Sequence, residues 1–134
     1  MTHANEELVR TFFHAFSRGD FRSAADMFAD DVVLHVPGRN PFAGTIRGRE
    51  AWLASLAKYA EAQAAGITLG FEVHDVVGGE DHAIALLNVW AEGRGERVDW
   101  RRAAVYHASG GKIREVWIHD VDQYVIDEFF RTRP

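Results

Sequence analysis

Residues 67–120 read as four extended segments, 67–77, 82–92, 97–108 and 112–120, cut apart by Gly78-Gly79, the Gly93-to-Gly95 stretch and Gly110-Gly111. Runs of β-branched and aromatic residues joined by short glycine turns make antiparallel hairpins. A series of long strands of this kind folds only if one face of the sheet is covered, and the rest of the chain has to supply the cover.

The N-terminal part supplies helices. Leu8, Phe12 and Phe16, flanked by Val9 and Phe13, recur at helical spacing over 5–17, and Gly19 stops the run. Asp20 is placed to cap a second, shorter helix reaching about residue 28, with Phe21, Ala24, Ala25 and Phe28 inward. Residues 32–36 are too β-branched and too short for a helix, and Pro37-Gly38 and Asn40-Pro41 end them in a loop. A brief return strand over 44–46 is followed by a third helix over 48–65, marked by Trp52, Leu53, Leu56, Tyr59 and Ala60 and stopped by Gly66. The tail, 122–131, returns to helical spacing with Asp122 in capping position. The expected order is αα-β-(β)-α-ββββ-α in one domain. The expected class is α+β, a strongly bent antiparallel sheet wrapped around three helices with a C-terminal helix, and the cavity of that cone is the default site.

Composition narrows the function. The 134 residues are 47% hydrophobic and 26% charged, with a formal net charge of -5. Only Arg101 and Arg102 form a basic pair, so a nucleic-acid groove is not expected. With no cysteine there are no disulfides, thiol nucleophiles or thiolate metal sites. No apolar stretch approaches the roughly 18 residues that span a bilayer, and the N-terminus is too polar for a secretory signal, so a cytoplasmic location is expected. The seven histidines contain no HExxH and no helical i, i+4 pair. His107 and His119 sit on neighbouring strands, and no metal or cofactor is expected.

FADDVVLHVPG at 28–38, NPFAGTIRGRE at 40–50, GGKIREVW at 110–117 and DQYVIDEFF at 122–130, taken with the element order, resemble the NTF2-like superfamily. Within it they resemble the SnoaL-like branch related to polyketide cyclases and ketosteroid isomerases. The resemblance implies a cone-shaped fold whose concave sheet face lines a cavity, and a homodimer through the convex face. In the register it implies, Asp99, Arg101, Ala103 and Val105 face inward on one strand and Val116, Ile118 and Asp120 on the next, with Leu86, Asn88 and Trp90 on the strand before. Val36 stands where ketosteroid isomerases carry their base, and Ala103 where they complete the oxyanion hole, so steroid isomerisation is not expected. SnoaL-like cyclases use one aspartate near the end of the last strand, a region that here holds Asp120 and Asp122.

The candidate catalytic residues are therefore Asp120, Asp122, His35 and Asp99. Arg101 and Asn88 are candidates to orient a ligand oxygen, and Trp90, Trp52, Tyr59 and Phe16 to wall the pocket. An inward guanidinium needs an anionic partner, either Asp99, Asp120 or a ligand. Arg102 is expected on the opposite face. His35 can serve as acid or base, while simple alternation turns it outward. The partner these residues suit is a small apolar carbonyl compound undergoing isomerisation or aldol-type cyclisation. Asp99, Arg101 and Asp120 also supply the residue types of limonene-epoxide-hydrolase chemistry, and a non-catalytic ligand-binding module is the reading from a different class.

Overall fold

The computed structural model describes residues 3–131. Helix α1 (Ala4–Ser17) is capped by the His3 side chain, which accepts from the Asn5 N–H, and buries Val9, Phe12, Phe13 and Ala15. Helix α2 (Phe21–Asp26) has the expected Asp20 cap, with the carboxylate accepting the Ser23 N–H at 3.3 Å. Strands β1 (Phe28–Val36) and β2 (Gly44–Arg47) follow, then helices α3 (Arg49–Ser55) and α4 (Ala57–Ala64). The four long strands are β3 (Thr68–Gly78), β4 (His82–Gly93), β5 (Glu96–Ser109) and β6 (Lys112–Asp120), and α5 (Gln123–Phe129) closes the described chain.

The architecture is α+β, with the strands in one curved, unclosed sheet of order β2-β1-β6-β5-β4-β3. Neighbours pair antiparallel except β1 and β6, which run parallel, with His35 beside Trp117. That pairing joins segments about eighty positions apart, and no local turn announces it.

The third helix differs from expectation in being two. Ser55 Oγ donates to the Trp52 carbonyl at 2.6 Å, and the Leu56 N–H turns to the Leu53 carbonyl at 3.2 Å. A serine that bonds back to its own helix competes with the i−4 ladder and bends it.

Alternation along β4 sets the inner face: Ala83, Ala85, Leu87, Val89 and Ala91 are all buried. On β5 the buried set is Trp100, Ala104, Tyr106 and Ala108. Helices α1 and α3 pack into this face through an aromatic knot, in which the Phe12 ring lies 5.2 Å from Phe28, 5.9 Å from Trp52 and 6.2 Å from Tyr106. Offset and tilted rings at such separations are favourable beyond their burial alone. Phe13 and Phe16 extend the knot to Phe71 on β3.

Two polar clamps fix the periphery. Asn5, 9% exposed, donates from Nδ2 to the carbonyls of Gly79 at 2.9 Å and Glu80 at 2.6 Å, tying α1 to the β3–β4 turn. At the other end Asn40 Nδ2 donates to Asp127 Oδ1 at 2.7 Å, and Gln123 Nε2 donates to the same atom at 3.1 Å. Burial opposes ionisation of Asp127, but these hydrogen bonds outweigh it and hold the carboxyl below the usual range. Gly38 sits in the left-handed region (φ 101°), which favours glycine, and a Cβ there would lie 2.2 Å from Gln123 Nε2 and push that side chain off Asp127.

Replacing Asn5 with alanine deletes both turn contacts and is expected to lower stability by about 1–2 kcal/mol, since the freed carbonyls lie in an exposed turn that water reaches. Urea unfolding of Asn5→Ala beside the parent measures it, and an unchanged midpoint would refute the clamp.

Candidate functional site

The cone is densely packed at its narrow end and less densely packed at its wide end. Val9, Phe28, Val32, Ile113 and Val116 are at most 1% exposed around the aromatic knot. Toward the C-terminal end of β6 the inward residues Val36, Ile46, Arg102 and Ile118 are only half-buried. Phe42 stands over this end, its ring 4.9 Å from Tyr59 and 5.1 Å from Phe130 after α5. Arg94 braces the same helix end, donating to the Phe129 carbonyl with its guanidinium 5.3 Å over the Phe129 ring.

At the wide end, Arg102 and Asp120 face each other across β5 and β6. Arg102 Nε donates to Asp120 Oδ1 at 2.7 Å and Nη2 donates to Oδ2 at 3.2 Å, a bidentate pair. Trp100 Nε1, two residues along the same strand face, donates to Oδ1 at 3.2 Å. The Asp120 side chain is 2% exposed and that of Arg102 is 23% exposed, so the carboxylate is sealed while the guanidinium keeps some contact with solvent. A buried carboxylate needs such a set of donors, because desolvation otherwise outweighs attraction.

Two phenols share this field. Tyr106 is fully enclosed, and burial pushes its hydroxyl far above the usual phenol range, with Arg102 pulling the other way. Burial also raises Tyr59, which Arg102 lowers and Asp120 raises. Yet 41% of the Tyr59 surface is accessible.

The register on β4 and β5 lies one residue away from the expected one, so several candidates change faces. Asp99 and Arg101 point to the convex side, where Asp99 accepts two hydrogen bonds from Arg97 that hold its carboxyl below the usual range. Asn88 is on that side too, donating to Glu72 at 3.3 Å, as is Trp90, whose ring lies under the Arg97 guanidinium at 5.5 Å. The residue facing the cone is Arg102, the one expected to face away. The cause is burial: the strand places Trp100 and Tyr106 inward, and a one-residue shift moves every other side chain with them. Asp99, Arg101 and Asp120 are therefore not brought together, and the Asp-Arg-Asp grouping of the epoxide-hydrolase alternative is absent. The continuous inner run Ala83, Ala85, Leu87, Val89, Ala91 was the available signal, because its partners on the other face include histidine and asparagine.

His35 is turned outward, with Nε2 2.6 Å from Glu115 Oε2 and its ring stacked on Trp117 at 5.9 Å. Asp122 is exposed in the left-handed conformation (φ 60°) and its side chain makes no cap bond, so it neither enters the cone nor caps α5. Trp52 is 7% exposed inside the aromatic knot, and Phe16 packs on Phe21, Trp52 and Phe71. Both belong to the core. Of the expected site residues, Asp120 and Tyr59 stand at the wide end, where Arg102, Trp100 and Tyr106 join them.

A pocket of about 540 Å³ at this edge of the sheet is lined by convex-face residues, Leu86, Asn88, Arg101 and His119, and also by Arg102 and Asp120, so the ion pair borders it. Among the described residues no group of three or more histidine, aspartate or glutamate side chains is arranged to hold a metal ion, and no helix is long and apolar enough to cross a membrane.

Uncharacterized proteins of Mycobacterium tuberculosis and Mycobacterium bovis are 33% identical to this chain over 128 residues, covering 95% of it and 96% of their own length. Bal32a, from a soil-derived mobile gene cassette, superposes with a TM-score of 0.82 at 29% identity, over 96% of this chain and 97% of its own. An NTF2-like protein of Burkholderia xenovorans gives the same TM-score at 19% identity with 98% of each chain covered, a likeness of fold alone. A SnoaL-like polyketide cyclase candidate from Mesorhizobium loti superposes at 0.67 with 23% identity, over 84% of this chain and 96% of its own. The model of the SnoaL-like domain matches residues 9–116, and the chain belongs to that family.

Proposed function

We propose that the protein binds a small, largely apolar carbonyl compound in the open end of the cone and moves the proton next to the carbonyl, as an isomerase or aldol-type cyclase does. The observation that carries this reading is the Arg102–Asp120 pair at the base of an otherwise aromatic and aliphatic opening. Apolar walls supply affinity, and few polar groups supply orientation.

Arg102 is the ligand-facing charge. The carbonyl oxygen meets its guanidinium, and the negative charge that develops there on enolisation is stabilised by a cation already fixed in place. Fixing it is the work of Asp120 and Trp100. Asp120 Oδ1 accepts two N–H groups whereas Oδ2 accepts one, so Oδ2 is the oxygen with capacity to take the α-proton. Tyr59 bears on the same field and presents a hydroxyl that burial keeps protonated, suited to donating a hydrogen bond to the oxygen.

The sealed state of Asp120 favours a second reading, a binding module in which the pair only positions Arg102. Proton exchange separates the two. A bicyclic aromatic methyl ketone incubated with the protein in D2O is expected to lose its α-proton NMR signal faster than in buffer. Asp120→Asn is expected to keep binding within about threefold while slowing the exchange by 10²-fold or more. Binding without accelerated exchange in the parent would establish the module and remove the enzyme. We place the protein in the cytoplasm as a homodimer joined through the convex sheet face, a reading supported by the exposure there of Val77 and Leu86.

Stability of the pair's variants gives an independent check. Arg102→Leu strands a carboxylate that is 2% exposed, whereas Asp120→Asn leaves a guanidinium that water reaches. Arg102→Leu is therefore expected to cost about 3 kcal/mol and Asp120→Asn about half that, read from chemical denaturation at neutral pH. Equal costs would mean that the carboxylate is not sealed. Tyr59→Phe is expected to leave stability nearly unchanged and weaken ketone binding about three- to tenfold by fluorescence titration. Unchanged binding in that variant would take Tyr59 out of the site.

A further inference from the structure

We propose that the convex sheet face is a pH-responsive self-association surface, closed between two copies at neutral and alkaline pH and released on acidification by a histidine cluster at its centre. The inference rests on the homodimer reading above and adds its regulation.

The face is built for burial across its middle. A straight ladder of register partners crosses the sheet as His35, Trp117, Val105, Ile84 and Val77, with Ala103 and Leu86 in the next row. Five strands at ordinary spacing and about four such rows give a projected area on the order of 500–600 Å², approaching what one partner of a stable interface buries once side-chain relief is counted. A second copy suits this face in charge as well. Arg101 stands exposed with no ion-pair partner among the described residues, while Glu72 and Glu115 lie on the same face, so a two-fold axis can set opposite charges together.

Five of the seven histidines, His35, His74, His82, His107 and His119, belong to this face or to the pocket at its edge. Three of them surround one carboxylate. His35 Nε2 lies 2.6 Å from Glu115, His107 is the direct cross-strand partner of Glu115, and His82 is the partner of His107 with rings 5.1 Å apart. His82 also lies 6.4 Å from the Trp117 ring. The other ionisable groups facing the cluster give little relief. Asp81 meets His107 Nδ1 through its backbone carbonyl, Asp75 is engaged by Arg10 at 3.3 Å, and Asp99 by Arg97. His119 shares its side of the sheet with the cation Arg101.

The sign follows from this count. Imidazole takes up its proton between about pH 8 and 5. A proton on His35 is matched by Glu115, whereas protons on His82, His107 and His119 would have no carboxylate of their own, Glu72 being engaged beside Asn88, and would be buried as unpaired charges, doubled by the two-fold axis. Whole-molecule charge predicts the opposite. The net charge of -5 at neutrality shrinks toward the pI of about 5.8, which by itself favours association on acidification. A looser dimer in acid is therefore specific to the cluster.

Sedimentation equilibrium of the full chain at about pH 8 and about pH 5.5, with circular dichroism confirming the fold at each, is expected to show the dissociation constant rising tenfold or more in acid. If the fold is lost at the lower value, the comparison is made at about pH 6, where a rise of at least threefold is required. The double variant His82→Gln/His107→Gln is expected to associate like the parent at alkaline pH and to lose most of the acid effect. A constant that is unchanged or tighter in acid overturns the proposal while leaving the dimer standing, and a full acid effect in the double variant overturns the assignment to this cluster. A monomer at both pH values removes the dimer and the proposal together.

Discussion

Which side of β5 faces the helices is decided by the burial of Trp100 and Tyr106, and the rest of the molecule depends on that choice. These two side chains carry the largest apolar surfaces on the strand, and placing them inward commits every alternate residue. Arg102 enters the cone as a consequence, while Arg101, Asp99 and His107 go to the outer face. Trp100 does more than set register, since its indole N–H also holds Asp120. The same residue fixes the strand and furnishes a donor at the wide end of the cone.

Packing density falls along the axis of the cone. At the narrow end, aromatic rings from α1, β1, α3 and β5 interlock with little surface left to solvent. At the wide end the lining comes from α4, the loop after β1 and the end of β6, where side chains are only half-buried. A tightly packed base beneath a looser end lets residues at the wide end change without loosening the knot that holds α1 to the sheet.

Much of this was legible in the sequence. Glycine turns marked the long strands to within about two residues, and helical spacing with Asp20 and Gly19 marked the first two helices. Asp120 was legible as an inward acid because Val116 and Ile118 precede it in alternation. What escaped were features decided by competition between distant parts. Both faces of β5 carry arginine and apolar residues, so alternation alone did not choose between Arg101 and Arg102. The Ser55 back-bond that splits the third helix is a side-chain choice that periodicity does not encode. The outward turn of Asp122 depends on a left-handed backbone that its capping propensity masks.

The parallel pairing of β1 with β6 has a consequence for how the molecule is made. The last strand in chain order lies third from one edge of the sheet, between the strand nearest the N-terminus and the β3–β4–β5 meander. Until β6 emerges from the ribosome, the nascent chain holds a two-stranded ribbon and a three-stranded meander, each with an open edge and an uncovered apolar face. Helix α1 bridges them through the aromatic knot, one of whose rings, Tyr106, is itself made late, and reaches the meander also through Asn5. Completion of the sheet thus waits for nearly the whole chain. Synthesis exposes an intermediate whose protection falls to early packing of α1 on Phe28 and Trp52, or to chaperones.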